Sequence, residues 1–214
     1  MIELWAPDKK LHLPSMPAKA QREEGGILVA CTIELGAWDR HHRIIQQFRE
    51  PLRSPVQQFL EILLRHMNAD VGQTVTDTGG TARAIAPGSV VFDADALIND
   101  DTHGIVVGTG STAVDIANSK LVTKIAAGIG AGQMIQAAML FDATVTVTAT
   151  QATFNMWRNF TNNSGGSITV AETGIYVQAS QSNWYFCIFR DVPSSIAVPD
   201  GGGCYVKYTL EISE

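Results

Sequence analysis

The chain reads as mainly β: a C-terminal antiparallel β-sandwich preceded by an extended arm, β-hairpins and one α-helix. Three observations predict this. From about residue 102 onward, short runs alternate apolar and polar residues with a period of two. Turn-forming Gly, Asn and Pro clusters separate these runs at intervals of about 8–12 residues, the spacing of a sandwich or barrel. Charged residues make up 17% and hydrophobic residues 45% of the 214, a charged share below the ~25% usual for globular chains. That balance fits a β-rich protein whose surface is partly covered by neighbours.

Residues 1–26 are the first unit, an extended N-terminal arm. Pro7, Pro14 and Pro17 punctuate it, and proline favours extended backbone while removing hydrogen-bond donors. Leu4, Trp5, Leu11 and Leu13 are too apolar for a plain tail. They need a surface, either on their own domain or on a neighbouring subunit. The arm lacks the continuous apolar core of a signal peptide. No run approaches the ~20 apolar residues of a membrane span. The expectation is a chain made and folded in a cytoplasm, with no membrane partner.

Residues 27–87 read as hairpin, helix, hairpin. Ile27–Leu35 alternates, with Val29, Cys31, Ile33 and Leu35 on one face. Gly36-Ala37-Trp38-Asp39 is expected to turn the chain, and His41–Glu50 to return it. Ser54 is a candidate helix cap, with Pro55 at the favoured first position. Val56, Phe59, Leu60, Leu63, Leu64 and Met67 then form a stripe of helical period, expected to face the core. Glu61 and Arg65 are one turn apart and suit an exposed pair. Val71–Ala86 is a second hairpin, with Gly79-Gly80 as its two-residue turn.

Residues 88–101 form an acidic connection, with Asp93, Asp95, Asp100 and Asp101 and no Lys or Arg. Residues 102–214 form the β-sandwich domain. Its cleanest strand is Cys204–Ile212, where Cys204, Val206, Tyr208, Leu210 and Ile212 share one face. Phe154–Tyr176 reads as strand, polar turn, strand, with Asn162-Asn163-Ser164-Gly165-Gly166 as the tip of a hairpin.

Net charge is −6, and neither half of the chain is basic, so a nucleic-acid partner has no electrostatic footprint. The cysteines, Cys31, Cys187 and Cys204, lie in apolar or alternating runs and read as buried reduced thiols, with one disulfide left open. Gly108-Thr109-Gly110-Ser111-Thr112 follows an apolar strand, as phosphate loops do, but has no lysine and no following helix. It and Gly128-Ile129-Gly130-Ala131-Gly132 read as turns or bulges. The aspartates with Asp115 supply hard oxygens but lack calcium-loop spacing. His12, His41, His42, His66 and His103 form no ligand pattern. No metal and no cofactor is expected. No nucleophile motif is present, and Arg190 with Glu172 or Asp191 reads as a structural ion pair. The expectation is therefore a non-enzyme.

Gly104–Gly110 with Leu121, then Phe160–Glu172, Gly174-Ile175-Tyr176, Arg190-Asp191-Val192 and Val198-Pro199-Asp200-Gly201 resemble, in that order, a β-sandwich virion protein of tailed bacteriophages. The likeness covers about residue 100 to the end. It departs at Ile175, where leucine is the usual residue. It implies a structural virion component that assembles with copies of itself, as a homo-oligomer, and with other virion proteins. A tail, neck or fibre-adaptor place is the first reading, and head decoration of the capsid an alternative. A glycan-binding receptor-recognition module is a second alternative, since aromatics crowd the last sixty residues. The candidate interface residues are Leu4, Trp5, Leu11, Leu13, Trp157, Trp184, Tyr185 and Tyr205.

Overall fold

The computed structural model describes residues 28–51, 55–67, 73–86, 92–179 and 183–213. The arm and the cap at Ser54 lie outside the described residues. In chain order the elements are β1 (Leu28–Trp38), β2 (Ile44–Pro51), α1 (Gln57–Met67), β3 (Gln73–Thr76), β4 (Ala82–Ile85), β5 (Gly104–Gly108), β6 (Ile135–Gln136), β7 (Leu140–Phe141), β8 (Thr146–Val147), β9 (Gln151–Thr161), β10 (Ile168–Val170), β11 (Glu172–Gln178), β12 (Tyr185–Asp191), β13 (Ile196–Val198) and β14 (Gly203–Ser213). The protein is mainly β and its sheets are antiparallel.

The alternation in β14 sets the largest sheet. Cys204, Val206 and Tyr208 point inward and are buried, while Tyr205, Lys207 and Thr209 on the other face are half-buried. β14 lies between β1 and β9 in the order β2-β1-β14-β9-β6, and β7 and β8 also pair with β9. A second sheet, β12-β11-β5, is buried on both faces. Its inner face, with Ile105, Val107, Ile175, Val177 and Phe186, shares one core with Ile33, Leu35, Phe160 and Val206 of the large sheet. Thr173 Oγ1 and Tyr208 OH meet at 2.7 Å across that core. The outer face, with Val106, Tyr176 and Cys187, packs on Val56 and Leu121. The small sheet is thus a middle layer, capped by the start of α1 and by the loop over residues 109–123.

Several expectations are corrected. Phe154–Tyr176 is not a hairpin: β9 stays in the large sheet, whereas β10 pairs with β13. Asn162, fully buried, directs the crossing. Its Nδ2 donates to Gly166 O and Val198 O, both at 2.8 Å, and its Oδ1 accepts from Ser164 N at 3.0 Å. Its own N–H donates to Gly202 O at 2.9 Å. The polar tip therefore fastens to the β13–β14 turn rather than folding β10 back on β9.

β1 runs on to Trp38, and the turn is Asp39–Arg43, which places His41 and His42 in it. The Asp39 carboxylate accepts from His41 N (2.8 Å) and Arg43 N (3.1 Å) and closes the turn. The β3–β4 loop spans residues 77–81, because Thr76 pairs with Ala82. The residues preceding and following the acidic connection share one sheet and one core, since β1 pairs with β14 over its whole length.

The helix follows its expected stripe only at the start, where Val56 and Phe59 pack inward, and rolls away from it further on. Gln58, Ile62 and Arg65 are buried, while Leu60, Leu63, Leu64 and Met67 are exposed. Packing from elsewhere fixes this roll. Val56 N–H donates to Ile188 O at 3.1 Å, and Phe59 meets Phe189 with ring centroids 5.3 Å apart. Arg65 turns inward, its Nε donating to Ile85 O at 3.0 Å.

Candidate functional site

Two buried arginines dominate the polar interior. Arg190 and Glu172 are both fully buried and joined at 3.0 Å. Alternation on β11 places Glu172 on the outer face of the small sheet, beside Tyr176. Glu172 also accepts main-chain N–H groups from Gly110 (3.2 Å), Val122 (3.0 Å) and Thr123 (2.6 Å). Arg190 donates to Thr112 O at 2.9 Å and Asn118 Oδ1 at 2.8 Å. The pair pins the 109–123 loop over the sheet. A Cβ at Gly108 or Gly110 would overlap the Glu172 carboxylate. The glycine loop does cradle an anion, and that anion is a carboxylate of its own chain.

Arg158, on β9, forms no ion pair with a carboxylate among the described residues. It donates instead to five main-chain carbonyls: Ala137 (2.7 Å), His103 (3.4 Å), Ile105 (3.1 Å), Leu97 (3.0 Å) and Asp100 (2.7 Å). Burial lowers its pKa from 12.5 to about 10, against the pull of Asp100 and Asp101. The planar fork suits this work, presenting five N–H groups at fixed angles. Both arginines hold main chain together, and neither projects a reactive group to solvent.

Four of the aspartates singled out by sequence have structural partners. Asp101 pairs with Lys124 at 3.0 Å and accepts from Ala127 N. Asp100 accepts from Thr102 N and lies 3.4 Å from His103. Asp115 accepts from Ala117 N, and Asp93 from Asp95 N. Among the described residues no group of three His, Cys, Asp or Glu could hold a metal ion. All three cysteines are free. Burial pushes the Cys204 thiol up to about 12 and raises Cys187 and Cys31 as well. A cleft of about 640 Å³ opens between the β1–β2 edge and the loops at Ser111 and Val192, with Glu50 and Asp191 on its wall. Glu50 accepts from Ser194 N at 3.2 Å. No helix among the described residues is long and apolar enough to cross a membrane.

The four described interface candidates are half-buried and engaged within the chain. The Arg83 guanidinium lies 5.2 Å above the Trp184 ring, and Tyr185 stacks on His103 at 6.0 Å. The Tyr205 hydroxyl donates to Glu34 and accepts from Gln47 Nε2 at 2.6 Å. Trp157 lies in register between Lys207 and Leu140. Leu4, Trp5, Leu11 and Leu13 lie outside the described residues. Open apolar side chains lie elsewhere, among them Leu60 at 61%, Leu64 at 50% and Met67 at 79% exposure on α1. Sequence reasoning faced the whole stripe inward, which holds for Val56 and Phe59 but not for these residues. Comparison with known protein families, curated proteins and solved structures finds no match for this chain.

Proposed function

We propose that this chain is a structural subunit of a tailed-phage virion that assembles with copies of itself and with other virion proteins, in the tail, the neck or a fibre adaptor. The observation that carries the reading is the outward apolar stripe of α1, a surface that a protein working alone would turn inward. It is supported by the way the buried charges are spent on fixing loops. The resemblance of residue 100 onward to tailed-phage virion proteins supplies the setting. The glycan-binding alternative asks for open aromatics, and Trp157, Trp184 and Tyr185 are half-buried.

A cryo-EM map of the particle formed by a phage encoding this chain tests it. Density fitting the β1–β14–β9 sheet at a symmetric tail or neck position is the expected result. A complete particle without that density overturns the reading.

A further inference from the structure

The outward stripe of α1 continues onto its neighbours. Ile116 O accepts the N–H of Gln57 at 2.9 Å, which seats Ile116, 68% exposed, against the first turn. Beside the second half of the helix lies Phe92, 37% exposed, its ring centroid 6.1 Å from that of Phe59 and 5.2 Å from that of His66. Leu63 stands between Phe59 and His66 on the same flank, four residues after one and three before the other. Ile116, Leu60, Leu63, Leu64, Met67 and Phe92 therefore form one open apolar face. The titratable side chains of α1 lie outside it. Glu61 and His66 are on its flanks, and Arg65 is buried on the opposite side of the helix.

Six side chains of roughly 200 Å² each, open by about half, present on the order of 600 Å². That is the upper end of the largest patch on a protein that stays alone, about 600 Å². One side of a stable contact between proteins buries about 800 Å², of which roughly 60%, or about 500 Å², is apolar. The face supplies one half of such a contact.

Shape and charge select the other half. Side chains at positions 60, 63, 64 and 67, spaced three and four apart, make ridges that fit the grooves of a second helix. α1 is the one helix among the described residues. A twofold contact sets a surface against itself, so any charge on it meets its own like. In a chain of net charge −6, a face with its charges to the sides lets two copies meet without like charges in contact. We propose that α1, with Ile116 and Phe92 beside it, pairs with the same face of a second copy of this chain, helix against helix across a twofold axis. The pairing rests on the proposed assembly with copies of itself, and adds the surface used and its partner.

Sedimentation velocity and photo-crosslinking of the purified full chain test it. A benzophenone amino acid replaces Leu64 in a mixture of ¹⁴N- and ¹⁵N-labelled protein. The expected result is a dimer at micromolar concentration, with crosslinks between differently labelled molecules that land on α1, Phe92 or Ile116. Leu60→Asp with Leu64→Asp should weaken the dimer at least tenfold. Both side chains are exposed, so the far-UV circular dichroism should stay unchanged. Val147→Asp, at an exposed position on β8, should leave the dimer as it is. A monomer at micromolar concentration, crosslinks within one molecule, crosslinks to another part of the second copy, or a dimer indifferent to the double substitution would overturn the pairing. Failure of the virion role reads differently. A particle without this chain removes that role and leaves a dimer in solution standing, whereas density that sets α1 against a different protein removes the pairing alone.

Discussion

Arg190 and Glu172 lie eighteen residues apart in sequence, yet the Arg190 Nε and Nη2 both reach Glu172 Oε2, at 3.1 and 3.0 Å, in complete burial. A buried ion pair adds little by itself, because desolvating two charges offsets their attraction. Breaking it leaves one charge stranded. Arg190→Met should therefore destabilise the protein by about 3–5 kcal/mol. The 109–123 loop, which both side chains hold, should become the first site of proteolysis. Urea denaturation and limited digestion would check the two halves, and an unchanged midpoint would refute the account.

Arg158 makes a different demand. Its five carbonyl partners need a planar fork, and lysine brings three donors on one atom. Arg158→Lys should cost roughly 2–4 kcal/mol, the sum of two or more strong hydrogen bonds lost in a buried place. The same charge is retained, so a loss of this size measured by urea denaturation would trace to geometry.

The tip of the β9–β10 crossing separates two adjacent glycines. Gly165 has a φ of 84°, a left-handed conformation that side chains resist, whereas Gly166 does not. A Cβ at either meets nothing within 4 Å. Gly165→Ala should cost about 1 kcal/mol, and Gly166→Ala should fall within about 0.5 kcal/mol of the parent. Thermal unfolding of the two variants side by side would decide it, and equal melting temperatures would contradict the assignment.

Asp39 gives the β1–β2 turn a pH dependence. Hydrogen bonding from the Arg43 side chain is the main cause that lowers its pKa from 3.8 to about 2. A carboxylate depressed in the folded state contributes stability above its ordinary 3.8 and loses it as pH falls through about 2. NMR titration of the Asp39 carboxyl should show a midpoint near 2, moving toward 3.8 in Arg43→Ala. A midpoint already near 3.8 in the parent would remove this source of acid sensitivity.

Period-two alternation made β14 legible, because one-sided burial writes itself directly into sequence, whereas β5 and β12, buried on both faces, stand out as short continuous apolar runs. The same alternation made β9 and β10 visible but not their partners. Alternation and a polar turn say that two strands flank a loop, and nothing in them says that Asn162 will fasten that loop to Val198 and Gly202. The roll of α1 was illegible for a related reason. A stripe of Leu and Met reads as core, yet Arg65 found Ile85 O and Phe59 found Phe189, contacts made by residues distant in sequence. The buried ion pair was legible as chemistry, since Glu172 and Arg190 are charges amid apolar strands. The second arginine, Arg158, stood in plain alternation with Met156 and Phe160, and its inward phase was the signal that could have marked it.

The place of β14 has a consequence for shortened chains. β1 and β9 are not paired with each other; each pairs with β14 along eleven positions, from Gly203 to Ser213. The ribosome makes β1 first of the described strands and β14 last. Apart from β14, β1 pairs only with β2 among the described strands. β14 is thus the one described strand that joins β1 to β9 in this sheet, and a variant lacking residues 203–213 would leave an unpaired edge on each of them.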